Sequence, residues 1–295
     1  MKNTMNILKN SLLLFFCVIG CFFLFGCGLE TVVVIEAPIT NYGSSIYSTT
    51  DPLNWYCDFV TREIDNDDLA GATFIGTEVY YKIYNNYSTL QSHRSAVSAV
   101  NTSSNNTAAA TKVIESYTYQ RLNVNPDQGN AVFVPASGTD SRVYFRLKTH
   151  KGSTGIQYRA AISYPYSDNV ATYLGYTAAG NTTYLYTKAT DTWTDASGVN
   201  PVDYYDINFV IPYRTVSGGN RSFDFFDDNN TKNTINVEPV EGDIDYQYTS
   251  SGFSSDYPDT YFVQLYAVSV ALDTNSCSNT YSLVLDLGTI PIAKQ

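Results

Sequence analysis

The chain has 295 residues, with 17 Lys+Arg against 28 Asp+Glu, a formal charge of −11 and a pI near 4.5. So acidic a chain does not condense on nucleic-acid phosphates. Hydrophobic residues at 44% and aromatics at 15%, with 26 Tyr, place it outside the disordered class. Its two histidines, His93 and His150, exclude a multi-histidine metal centre.

Lys2 and Lys9 precede an uncharged apolar run over residues 12–25, which is the layout of an export signal. The run is shorter than the roughly 20 residues of a spanning helix. It ends in Leu24-Phe25-Gly26-Cys27, which resembles a bacterial lipobox. Gly26 supplies the small residue before the cysteine. Phe25 departs from the usual small or β-branched residue, as in the looser spirochaete lipoboxes. The resemblance implies a signal peptide over residues 1–26, recognised through Leu24, Phe25 and Gly26, and a body over residues 27–295. It further implies that Cys27 carries acyl chains (palmitate among them) and thereby holds membrane lipid as a partner. The body would have 15 basic against 28 acidic residues, a charge of −13. At about 0.8 kcal/mol per buried CH₂, two or three chains anchor a protein durably, and an anionic body stands off an anionic leaflet.

Residues 31–36 are β-branched and stop at Pro38, and residues 55–60 alternate before the acidic turn 65–68. Residues 78–84 alternate again. Later strand candidates are residues 142–148, 156–163, 183–187 and 204–213. The longest two are 260–272 and 281–287. Clusters of Asn, Ser, Gly and Asp separate them. Between the early strands and the rest, Ser88 is placed to cap a helix carrying Leu90, Val97 and Val100, and the alanine-rich stretch 108–115 favours a second helix. A helical insertion is therefore expected over about 88–117.

Residues 261–268, Tyr-Phe-Val-Gln-Leu-Tyr-Ala-Val, resemble the penultimate strand of fibronectin type III domains. There Tyr261, Val263, Leu265 and Ala267 would face the core, with Tyr261 as a tyrosine corner. The turn 273–279 and the strand after it are similar to the last hairpin of such domains, and residues 78–84 to their third strand. The resemblance implies an all-β, immunoglobulin/fibronectin III-like β-sandwich. Residues 118–250 would then be either a large insertion or a second sandwich. Residues 74–86, with 266–268 and 281–282, also resemble a group of spirochaete lipoproteins, a likeness that carries no activity.

Cys17 and Cys21 leave with the signal, so Cys57 and Cys277 remain to pair or to stay as separate thiols. A bridge between them would close about 220 residues, worth about 5 kcal/mol in the chain-entropy treatment. No G-x-S-x-G elbow, H-E-x-x-H, C-x-x-C, P-loop or G-x-G-x-x-G occurs. Asp227, Asn229, Thr231 and Glu238 mimic calcium-loop spacing, yet Lys232 occupies the glycine position such a loop needs. Trp193 lies in the polar stretch 190–195, where an indole suits stacking on a sugar face or a protein partner. These readings lead to a non-enzymatic, membrane-anchored envelope lipoprotein, with no cofactor and no metal. It would be lipid-anchored at the cell membrane or outer membrane on the exported face, periplasmic or surface, with a binding or structural role. Its partner would be an unknown protein or glycan. The alternatives are a carbohydrate-binding or surface adhesin module, then a carbohydrate-active enzyme.

Overall fold

The polar turns that punctuate the sequence do separate strands in the structure, a computed structural model. It describes residues 33–40, 56–125, 132–148, 150–152, 155–158, 160–166, 170–177, 180–187, 192–194, 211–216, 219–225 and 238–293. In chain order the elements begin with β1 (Cys57–Val60), β2 (Ala72–Tyr84), α1 (Tyr87–Ser98) and α2 (Ala108–Thr111). Short strands follow: β3 (Gln120–Arg121), β4 (Asn123–Asn125), β5 (Val134–Pro135), β6 (Arg142–Arg146), β7 (His150–Gly152) and β8 (Gly155–Tyr158). Next come β9 (Ala161–Tyr166), β10 (Val170–Thr177), β11 (Gly180–Thr187), β12 (Thr192–Thr194), β13 (Ile211–Val216) and β14 (Gly219–Arg221). The last four are β15 (Tyr246–Gln247), β16 (Thr260–Asp273), β17 (Asn279–Tyr281) and β18 (Leu285–Ala293). The described part is mainly antiparallel strand with few helices, as an all-β class requires.

The long strands β2 and β16 pair antiparallel, from Phe262 opposite Tyr84 to Asp273 opposite Ala72. β17 and β18 lie along the other edge of β16, where the chain turns back as a hairpin. The far edge of β2 is covered in pieces by β5, β3 and β15, which leaves few unpaired backbone groups exposed there. A second sheet has the order β1-β6-β9-β10-β11-β12. β4, β13 and β14 form a three-stranded sheet, and β7 and β8 a hairpin.

Period-two alternation decides what fills the space between these layers. Val79, Tyr81 and Ile83 of β2 meet Tyr261, Val263, Leu265 and Ala267 of β16 in one hydrophobic cluster. Cys57 and Phe59 of β1, Val143 and Phe145 of β6 and Ile162 of β9 complete it, so the two larger sheets share this core. The four β16 residues expected to face a core do so. The opposite face of β2 and β16 carries Tyr80, Tyr84, Phe262, Tyr266, Val268 and Val270. It packs against Leu90 and Val97 of α1, Ala109 and Ala110 of α2 and Val113. Burying Leu90 and Val97 contributes about 1.5–3 kcal/mol each. A sheet covered on both faces reads as an almost continuous apolar run, and β16 does.

The helical insertion lies within a residue of the expected place, but Asn86, not Ser88, is the cap. Its backbone is extended and its Oδ1 accepts from the Thr89 amide at 3.0 Å. At the far end Asn101 exchanges two hydrogen bonds with the backbone of Val284, which ties the helical layer to the link before β18. α2 is one turn long and continues as a π-helical turn, Lys112–Ser116. The strand expected over residues 31–36 is not formed at residues 33–36. There the Asn66 side chain stands in for a strand partner, accepting from the Glu36 amide at 2.8 Å and donating to its carbonyl at 3.0 Å.

A buried ion cluster joins β13 to the larger sheet. Arg214 donates to both carboxylate oxygens of Asp245 at 2.9 Å and to Asp243 at 2.9 Å. Tyr81 donates to Asp245 at 2.8 Å and accepts from the Thr215 amide at 3.1 Å. Arg214 and Asp245 are both 0% exposed. The described residues from Val34 onward belong to a unit spanning Val34–Gln295, while Met1–Val33 is a separate unit represented only by Val33.

Candidate functional site

The pairing of the end of β2 with β16 on one side and with β15 on the other brings the residues that follow β2 beside those that precede β16. Asn85 fixes this meeting by donating to the Thr249 carbonyl and accepting from the Thr249 amide, each at 3.0 Å. The first amide of α1, that of Tyr87, donates to Ser254 Oγ at 2.8 Å. Between the two segments opens a groove of about 290 Å³, near the lower end of the roughly 300–1,000 Å³ of ligand pockets. Asn86, Tyr87 and Ser88 line one side. Residues 251 and 253–257 line the other, with Ser251, Ser255, Asp256 and Tyr257 exposed.

The aromatic wall of the groove is held firmly. The Tyr87 ring lies 5.1 Å from both Tyr257 and Phe262, and Tyr257 meets Phe262 edge-on at 5.3 Å. Tyr257 is nevertheless 41% exposed, so a ring fixed by its neighbours stays partly open to solvent. Ser254 and Asn86 spend their side chains on the first turn of α1. The side chains of Ser88, Ser251, Ser255 and Asp256 make no hydrogen bond among the described residues.

Behind the groove, α1 rests on a buried polar floor. The Tyr84 hydroxyl lies 3.0 Å from both His93 Nδ1 and the Tyr119 hydroxyl. His93 stacks on Tyr117 at 4.0 Å. Burial, with Lys82 nearby, holds the His93 imidazole below its usual range, so the ring is neutral at neutral pH. Burial pushes the phenols of Tyr84, Tyr119 and Tyr266 up, so they remain protonated donors. Lys82 donates to the Tyr117 carbonyl at 2.5 Å and to Thr118 Oγ1 at 3.0 Å. Asp286 holds Arg94 at 2.5 Å and Gln264 at 2.8 Å. Hydroxyls kept protonated in this way hold hydrogen bonds beneath α1, as Tyr84 does to His93 and Tyr119.

The residues singled out from the sequence are scattered. Leu24, Phe25, Gly26 and Cys27 lie outside the described residues, as do Asp227 and Asn229. Glu238 is described and accepts from Tyr261 at 3.2 Å, so the side chain expected to form a tyrosine corner reaches an upstream carboxylate. Trp193 sits in β12 with its backbone opposite Tyr186, and its side chain lies outside the described part. No bridge joins Cys57 to Cys277. Cys57 is buried in the core between the sheets, whereas Cys277 is exposed in the turn after β16 at φ +54°. His150 falls in β7. Among the described residues no group of three His, Cys, Asp or Glu is placed to hold a metal, and no helix is long and apolar enough to cross a membrane.

The groove residues were not anticipated from the sequence. The nearest signal was the run 250–257, where four serines are interleaved with Phe253, Asp256 and Tyr257. Compared with known proteins, the chain matches no family model, no curated protein and no solved structure.

Proposed function

We propose that this chain is an exported, lipid-anchored binding protein without catalytic chemistry of its own, held at the membrane through acylated Cys27. The observation that carries the binding reading is the groove beside α1. A pinned but exposed tyrosine and four polar side chains that make no hydrogen bond among the described residues line it together. The hydrogen bonds of Tyr84 to His93 and Tyr119, with His93 stacked on Tyr117, support a positioning floor beneath α1. The order β2-β16-β18 and the core shared with the second sheet support the fibronectin III-like sandwich reading. The same shared core supports one body over two tandem ones. The anchor rests on Leu24-Phe25-Gly26-Cys27 and the apolar run before it.

Cell fractionation tests the anchor. Cys27→Ala should abolish incorporation of labelled palmitate and move the protein out of the membrane fraction. Retention of the variant in the membrane would replace the lipid anchor with an uncleaved helix. Protease digestion of intact cells then assigns the face: cleavage before lysis places the groove at the surface, and protection places it in the periplasm.

A further inference from the structure

We infer that the groove between α1 and the segment before β16 binds a neutral carbohydrate. This deepens the binding reading proposed above and rests on it. The chemistry of the lining excludes most other small ligands. No Lys or Arg lines the groove and Asp256 is a carboxylate, so phosphates, sulfates and acidic sugars meet repulsion without a compensating cation. Hydroxyl groups dominate the rim, which leaves little apolar area to reward a lipid or an aliphatic ligand.

A sugar ring matches what remains. Its C–H face suits the partly exposed ring of Tyr257, which Tyr87 and Phe262 already hold in place. Little side-chain entropy is therefore lost on stacking. Around that ring, Ser88, Ser251 and Ser255 each offer a hydroxyl that both donates and accepts, as sugar hydroxyls do. Asp256 offers two acceptor oxygens for a pair of neighbouring sugar hydroxyls, in charge-assisted hydrogen bonds. The frame is formed before the ligand arrives. Asn85 clamps one end of the loop through Thr249, and Ser254 is fixed by the helix amide. A site of this size takes one or two residues of a longer glycan.

The test is an array probed with the full-length protein in detergent micelles. The array carries neutral oligosaccharides (cello-, malto- and chito-oligomers), acidic oligosaccharides and lysine-rich peptides. Binding to at least one neutral series is expected, weakened about tenfold or more in Tyr257→Ala, equivalent to about 1.4 kcal/mol. Tyr257 also packs on its neighbours, so Ser255→Arg provides a second variant that blocks the groove from an exposed position. It should lose binding with its thermal midpoint unchanged. Binding confined to acidic sugars or lysine-rich peptides, and lost in the same variants, would overturn the ligand class while leaving the groove a binding site. Neutral-sugar binding indifferent to both substitutions would overturn the site. A blank array would overturn the carbohydrate proposal and remove the observation behind the binding reading, without touching the anchor that Cys27→Ala reports.

Discussion

Replacing Arg214 by Met should destabilise the protein more than any surface change, and the structure gives the size of the effect. Arg214 is fully buried, with its guanidinium shared between Asp245, 0% exposed, and Asp243, whose side chain is 14% exposed. Methionine keeps most of the apolar stem against Phe225, over whose ring the guanidinium lies at 5.3 Å, but it removes the charge that contacts both carboxylate oxygens of Asp245. Asp245 would retain the Tyr81 hydroxyl and the Lys82 charge, which makes no direct hydrogen bond to it, to offset its burial. Removing one member of a buried ion pair costs about 3–5 kcal/mol, against a total stability of about 5–15 kcal/mol for a typical protein. With a urea slope of roughly 2–3 kcal/mol per M for a chain of this size, the midpoint should fall by about 1–2 M. Tyrosine fluorescence during urea unfolding reads this directly. The double variant Arg214→Met/Asp245→Leu should recover part of the loss, since no lone charge is left in the core. A single-variant loss below about 1 kcal/mol, or a double variant no better than the sum of the two singles, would show that the pair does not carry its charges in a dry interior.

Two further outcomes follow from local geometry. Gly76 has φ +139°, and a Cβ there would stand 2.2 Å from the Val134 carbonyl oxygen. Gly76→Ala should therefore cost about 2 kcal/mol or more and lower the thermal midpoint by roughly 4–8 °C; an unchanged midpoint would mean that β5 is not seated on β2. His93 is held below the usual histidine value of 6.5 by burial and by Lys82. Below about pH 6.5 the unfolded chain takes up a proton that the folded chain resists. Stability should accordingly fall as pH drops from about 6.5 toward the lowered folded value, and His93→Gln should flatten that limb. Parallel pH profiles of urea midpoints for the two proteins would refute the assignment.

The strands were legible where one rule governs them. Along β16 every second residue, from Tyr261 to Ala267, faces the core shared with the second sheet, as the alternation in the sequence indicates. The intervening residues, Phe262, Tyr266, Val268 and Val270, are equally buried because α1 and α2 cover them. Alternation alone assigns such residues to solvent. The helices and the apolar second face are thus a single fact: the insertion is amphipathic because β2 and β16 offer it a surface. Residues 33–36 misled for the opposite reason. Their β-branched composition fits a strand, yet a ladder needs a partner, and the Asn66 amide satisfied the Glu36 backbone instead. The cap at Asn86 displaced Ser88 because an extended residue directly after β2 is already in the cap conformation.

The groove was illegible for a reason of distance. Its two sides lie more than 160 residues apart in sequence, as the Asn85–Thr249 and Tyr87–Ser254 contacts show. No local motif spans such a gap, whereas Trp193 in its polar stretch and the acidic turn at Asp227 stand out within a few residues of sequence. Yet the groove follows from two pairings made by the end of β2. With Tyr84 opposite Phe262, antiparallel geometry brings residues 85–88, leaving β2, toward residues 258–261, and the parallel pairing of Gln247 with Tyr84 brings Thr249 beside Asn85. One side then supplies a helix start rich in polar side chains. The other supplies serines around a tyrosine that Phe262 itself holds in place. The residues at the candidate site are consequently set by the registers of β16 and β15 against the end of β2. A shift of two residues along β16 would preserve the buried faces but carry Tyr257 away from Tyr87. Selection on the groove and selection on the core therefore act on the same pairing.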